Sequence, residues 1–241
     1  MCEHCGCGIP EHRHDHDHGH SHEHPSKLID VQQSILSQND RLAERNRGGF
    51  KARKLFVINL LSSPGSGKTA LIERTLTDHG SKIKIGVIVG DLQTENDANR
   101  IRAKGAPAVQ ITTGTACHLD AHMVERALEK LNLDGMKILF IENVGNLVCP
   151  ASFDLGEDAR VVLLSVTEGE DKPLKYPAIF LRADLVIINK TDLAAAAQFD
   201  RKTAVENIRK VAPKAEVLEL SAKTGAGMEA WYAFLEKHSV R

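Results

Sequence analysis

The sequence predicts an α/β fold, a mostly parallel sheet with helices on both faces, preceded by a disordered N-terminal metal-binding tail. Three observations predict it. From Lys54 onward short β-branched apolar runs alternate with helical patterns, the first run opens into a glycine-rich loop and a helix, and the segment before Pro25 is crowded with cysteine, histidine and acid. Strands that are apolar along their whole length and separated by helices pack as a parallel sheet covered on both sides. Ligands of such sheets bind beyond the carboxyl ends of the strands, so the residues just after each strand hold the functional interest.

In chain order, residues 1–25 are the tail, holding eight of the twelve histidines and three of the five cysteines. Histidine occupies every even position from His12 to His24, separated by Arg13, Asp15, Asp17, Gly19, Ser21 and Glu23, which leaves nothing to pack and makes disorder the default. Residues 26–50 carry Leu28, Val31, Ile35 and Leu42 among Gln, Ser and Asn, the pattern of an amphipathic lid or linker helix that should stop before Gly48-Gly49. Residues 51–241 read as one domain, with strands expected at 55–61, 83–89, 108–111, 137–141, 161–166, 185–189 and 216–220. Helices are expected at 68–79, 95–104, 117–131, 204–211 and 228–237.

Composition narrows the function. With 241 residues, 42% of them apolar and 26% charged, the chain is expected to be soluble and globular. A net charge of -1 without a Lys/Arg block argues against a nucleic-acid partner. No membrane is expected either, since the longest apolar stretches, 56–61 and 185–188, fall far short of the ~20 residues a bilayer requires. The first two dozen residues offer no apolar core for a secretory signal, so a cytoplasmic location is expected.

Directly after the first strand stands Ser62-Ser63-Pro64-Gly65-Ser66-Gly67-Lys68-Thr69. In a phosphate-binding loop, glycines let backbone N–H groups turn inward, the helix N-terminus adds its dipole, the lysine reaches the β and γ oxygens and the hydroxyl holds Mg²⁺. Pro64, Gly65, Ser66, Gly67, Lys68 and Thr69 fit that pattern, with Ser62 where its first glycine usually stands. The fold class is accordingly a P-loop NTPase.

Asn189-Lys190-Thr191-Asp192 follows a buried strand and selects the base. One carboxylate can accept from guanine N1–H and N2–H₂ together, and adenine offers no such pair of donors, so Asp192 points to GTP and GDP. Lys190 is expected over the base plane and Asn189 between the loops. Ser221-Ala222-Lys223, after a later strand, is placed to offer the Ala222 N–H to the guanine carbonyl. For Mg²⁺ and hydrolysis the carboxylates at strand ends are Asp91 and Glu142, the latter in Glu142-Asn143-Val144-Gly145, a variant of Asp-x-x-Gly. Asp91 has a competing reading as a helix cap. No glutamine or arginine stands out to orient water, so a low intrinsic GTPase rate is expected.

Cys2, Cys5 and Cys7 place three thiols within six residues, enough with a terminal amine or imidazole for square-planar Ni²⁺ or tetrahedral Zn²⁺. The histidine tract would bind the same metals as a store or buffer. Inside the domain, Cys117-His118 should begin a helix, and Cys149-Pro150 follows Glu142 by a few residues; these are metal ligands governed by nucleotide, or ordinary buried side chains. His122, one turn beyond His118, joins them or is a surface residue.

The phosphate loop, Gly90-Asp91-Leu92-Gln93-Thr94, Glu142 to Pro150 (Glu-Asn-Val-Gly-Asn-Leu-Val-Cys-Pro), Ser165-Val166-Thr167-Glu168-Gly169 and Asn189-Lys190-Thr191-Asp192 together closely resemble the HypB family, nickel-delivering GTPases of nickel–iron hydrogenase maturation, over essentially the whole chain. The resemblance implies a GTPase of the SIMIBI class that dimerises with GTP and works with a HypA-like nickel chaperone and with SlyD to pass Ni²⁺ to the hydrogenase large subunit. It also implies that Cys2, Cys5 and Cys7 form a high-affinity nickel motif, and that Cys117, His118 and Cys149 form a second site able to bridge two subunits. Two alternatives stand beside it. A urease-type GTPase similar to UreG would share the phosphate loop but carry Cys-Pro-His as its metal motif. In a plain nickel buffer Lys68, Thr69 and Asp192 would have no purpose.

Overall fold

The computed structural model describes residues 25–93 and 95–239. Helix α1, Pro25–Ala52, leads into strand β1, Phe56–Ser62. There follow α2 (Lys68–His79), β2 (Ile85–Asp91), α3 (Asn96–Ala103), β3 (Ala108–Thr112), α4 (Ala121–Leu128), β4 (Ile138–Glu142) and β5 (Ala159–Ser165). The chain ends through the short helices α5 (Lys172–Lys175) and α6 (Pro177–Leu181), then β6 (Leu185–Asn189), α7 (Arg201–Val211), β7 (Glu216–Glu219) and α8 (Met228–Ser239). The strands form one seven-stranded sheet in the order β3-β2-β4-β1-β5-β6-β7, every pair parallel.

Alternation along β1 divides the core between the two faces. Phe56, Ile58 and Leu60 point to one side, where Leu71 and Ile72 of α2, Ile101 of α3 and Trp231 of α8 cover them. Val57 points to the other, under Phe50 of α1 and Val124 of α4, while Leu61 joins Phe180 of α6 and Ile208 of α7. Trp231 is fully buried and satisfies its indole by donating to Thr75 Oγ1 at 2.9 Å. Parallel pairing sets all seven strand carboxyl ends on one rim, where Ser62 leads into the glycine-rich loop and Asp91, Glu142 and Asn189 end their strands. Among the described residues no helix is long and apolar enough to cross a membrane.

Two expectations about elements are corrected. The first helix was expected to stop before Gly48-Gly49; it runs through both to Ala52. The cause is tertiary: Phe50 is 2% exposed in the core, and Asn46 donates to the carbonyls of Ala121 (2.9 Å) and Leu155 (3.2 Å). That burial outweighs the roughly 1 kcal/mol that each helical glycine costs relative to alanine. Likewise Cys117 and His118 do not begin a helix. They lie in the loop before Asp120, whose Oδ1 accepts from Met123 N–H at 2.7 Å and caps α4.

Candidate functional site

The fully buried β1 delivers its loop at the rim, and the turn into α2 depends on glycine. Gly65 (φ 73°) and Gly67 (φ 101°) adopt left-handed backbone, and a Cβ on Gly67 would stand 2.5 Å from Asn189 Nδ2. The first-turn N–H groups of α2 have no partner within the helix and supply anion donors. Lys68 is buried at the head of α2 and donates from Nζ to Ser62 Oγ at 2.9 Å. Its burial pushes the ammonium below its ordinary pKa, against the pull of the Glu142 carboxylate.

Glu142 ends β4 at 5% exposure. Its Oε1 accepts from Thr69 Oγ1 at 2.6 Å, while Oε2 is buried with no hydrogen-bond partner. Burial raises its pKa to about 7, opposed by Lys68 and by the Thr69 hydroxyl. A buried carboxylate oxygen left unsatisfied beside a threonine hydroxyl fits a hard divalent cation such as Mg²⁺, which takes oxygen ligands. Asp91, at the end of β2, lines the same cleft of about 440 Å³, as do Gly65, Gly67, Asp97, Arg100 and Gly145. Gly145 presses against the phosphate loop so closely that a Cβ would lie 2.8 Å from Pro64 Cα.

The two motifs expected to bind the base meet against the phosphate loop. Asn189 Nδ2 donates to Ser66 O at 2.8 Å, and its Oδ1 accepts from Ala222 N–H at 3.3 Å. The Ala222 N–H, expected to face guanine, is thus directed at Asn189. Lys190, in left-handed backbone (φ 62°), reaches with Nζ to Gly65 O at 2.7 Å. Asp192 Oδ1 accepts from Ser221 Oγ at 2.6 Å, which orients the carboxylate, and Lys223 is exposed.

In the loops that follow β3 and β4, donor atoms of Cys117, His118 and Cys149 all lie within 4.8 Å of one another, each residue half-buried. The His118 ring stacks on Phe153 with centroids 3.9 Å apart. Burial moves the imidazole below its ordinary pKa, against a smaller pull from Asp120, and a neutral ring keeps a lone pair for a metal. Asn146 ties the two parts by donating to Cys117 O at 3.2 Å. His122 faces Glu125 on α4 and stays outside the group. Two thiols and an imidazole form a soft or borderline donor set. Cys2, Cys5, Cys7 and the histidine tract lie outside the described residues.

Some contacts of the cleft could not be read from the sequence. Glu168 accepts from Ser66 Oγ of the phosphate loop. Arg100 reaches the cleft from α3, held by Glu73 and by Asp97 at 2.9 Å. Glu168 belongs to the Ser165–Gly169 motif, but its contact with the phosphate loop, like the placement of Arg100, depends on how the elements dock, and Arg100 belongs to no motif.

Residues 56–219 match the CobW/HypB/UreG nucleotide-binding domain family. The hydrogenase maturation factor HypB of Azotobacter vinelandii is 56% identical over 213 residues, 88% of this chain and 70% of that protein. The crystal structure of HypB from Helicobacter pylori in complex with nickel is similar at a TM-score of 0.80 and 44% identity, covering 84% of this chain and 95% of that one. The signal recognition particle 54 kDa protein of Aeropyrum pernix in complex with GDP shares the fold, with a TM-score of 0.53 at 15% identity over 77% of this chain and 49% of that one.

Proposed function

The chain belongs to the HypB hydrogenase maturation factors of the CobW/HypB/UreG family, and from that membership we propose that it hydrolyses GTP to govern delivery of Ni²⁺ to a nickel–iron hydrogenase. What carries this reading is the convergence of two thiols and one imidazole, all within 4.8 Å, at the end of the segment that starts at Glu142. Nickel(II) is cargo that suits this donor set, and the nucleotide is the control.

In this reading Asp192 takes the guanine edge, Lys190 covers the base, and Asn189 clamps the phosphate loop to the base-binding strand. Ser221, Ala222 and Lys223 complete the base pocket. Backbone N–H groups of Gly65 to Lys68 receive the phosphates, with Lys68 Nζ released from Ser62 towards the β and γ oxygens. Thr69, Glu142 and, at the rim, Asp91 would hold Mg²⁺, which would neutralise phosphate charge. Gly145, already against Pro64, offers its N–H where a γ-phosphate would sit, so GTP and GDP set the 142–149 segment differently. Cys2, Cys5, Cys7 and the histidine tract collect and store Ni²⁺ or Zn²⁺. A HypA-like chaperone, SlyD and the hydrogenase large subunit are the partners, and GTP favours a homodimer.

Nickel titration calorimetry of the full chain and of Cys117→Ala, with GDP and with a non-hydrolysable GTP analogue, tests the reading. One nickel-binding step should depend on the nucleotide and vanish in the variant. Identical uptake in both nucleotide states, or no phosphate release from GTP, would overturn it.

A further inference from the structure

Buried hydrogen bonds run from the residue after Glu142 to both segments that carry the metal donors. Asn143, 1% exposed, uses both ends of its amide. Its Oδ1 accepts from the N–H of Leu119, next to His118, and its Nδ2 donates to Asn59 Oδ1, both at 3.2 Å. Asn59, fully buried in mid-β1, donates from Nδ2 to Glu157 Oε1 at 3.3 Å. The same oxygen accepts from Arg160 Nε at 2.6 Å, and Arg160 donates onward to the carbonyls of Ala151 (3.2 Å) and Phe153 (3.0 Å), just past Cys149. The Phe153 ring against His118 closes the circuit. Register explains the placement: Asn59 lies opposite Ile141 on β4 and Arg160 on β5, so these polar side chains share one sheet face.

Four buried polar side chains in apolar surroundings are not an efficient source of stability, since well-packed apolar groups do as well. A fully satisfied network of this kind instead fixes one relative arrangement of the parts it joins. Here those parts are the strand end beside the nucleotide cleft and the two metal-bearing loops.

We propose that Asn143 is the positioning residue through which the nucleotide beside Glu142 sets nickel affinity at Cys117, His118 and Cys149, an inference that rests on the nucleotide-governed delivery proposed above. A shift of the 142–145 segment displaces the Asn143 amide. Through Leu119 that moves the Cys117-His118 loop, and through Asn59, Glu157 and Arg160 it moves the stretch after Cys149. Both sides of the donor group then move together. Asn146, in the same segment, adds a direct bond to the Cys117 carbonyl.

The test uses the full chain, with nickel(II) as the sole probe, loaded with GDP or a non-hydrolysable GTP analogue. Alkylation of the peptides containing Cys117 and Cys149, followed by mass spectrometry over a nickel series, reads affinity at this site even while the tail binds metal. Wild type should show a ratio between nucleotide states of about tenfold, within the usual range of coupling. Asn143→Ala should bring that ratio close to one. Asn59→Leu, which keeps the number and branching of side-chain heavy atoms at a buried strand position, should lower it about threefold or more, and carries the test if Asn143→Ala does not fold. A wild-type ratio in either folded circuit variant overturns the proposal, as does equal weakening in both states with the ratio kept. A ratio of one in wild type itself would overturn the underlying reading of nucleotide control.

Discussion

Glu142 concentrates the electrostatic conflict of the cleft in one side chain. Its carboxyl titrates at about 7 instead of the ordinary 4.5 because burial outweighs the attraction of Lys68 and the Thr69 hydroxyl. Between those values the folded protein holds a proton that the unfolded chain has released, so this group's contribution to stability is present below pH 4.5 and lost as pH rises through 7. Glu142→Gln should therefore raise the melting temperature of nucleotide-free, chelator-treated protein at pH 8 and leave it nearly unchanged at pH 4.5. The full shift corresponds to on the order of 3 kcal/mol. Equal effects at both pH values would show that the carboxyl is not held neutral. Asp192 makes a different prediction. Its Oδ1 is oriented by Ser221, and exchanging the second oxygen for an amide nitrogen gives a donor that suits the xanthine carbonyl and opposes the guanine donors. Asp192→Asn should shift preference from GTP towards xanthosine triphosphate; unchanged selectivity in a competition assay refutes the assignment.

At the scale of elements, α1 shows local preference yielding to packing. Gly48 and Gly49 mark a helix end to any reading of propensity, yet Phe50, Asn46 and Asn39 lie buried against the domain and carry the helix onward. Gly48 is exposed with nothing within 4 Å of a Cβ. Gly48→Ala should accordingly stabilise the protein by about 0.5–1 kcal/mol in denaturant unfolding, whereas a loss of stability would mean that helical backbone is not maintained there. The loop before α4 errs in the opposite direction. Apolar periodicity extends a helix back to Cys117, but Asp120 accepts from Met123 N–H and starts it at Ala121, freeing the two donor residues to turn towards Cys149. The α2 entrance was readable because its glycines, lysine and threonine act through local backbone geometry.

At the scale of the molecule, the phosphate-loop cleft, the proposed magnesium ligands and the Cys117, His118 and Cys149 donor group follow the carboxyl ends of a parallel sheet. Occupying the cleft should stabilise the whole domain, because ligand bound only to the folded state adds about 2.7 kcal/mol at a hundredfold excess over Kd. In thermal melts GTP and GDP with Mg²⁺ should raise Tm, and ATP at equal concentration should not; an equal ATP shift would remove the base selectivity argued from Asp192. By itself the sequence determined the strands and the phosphate-loop motif, which depend on residue type at short spacing, and it left Cys117 and Cys149 as either metal ligands or ordinary buried side chains. Only the tertiary structure decided that Cys117 and His118 meet Cys149, that Glu142 is left with an unsatisfied oxygen, and that Asn143, Asn59, Glu157 and Arg160 form one buried circuit. Those relations join residues from different strands and loops, and strand order and register, which bring distant positions onto one sheet face, are set by the burial of the whole core and by no local pattern.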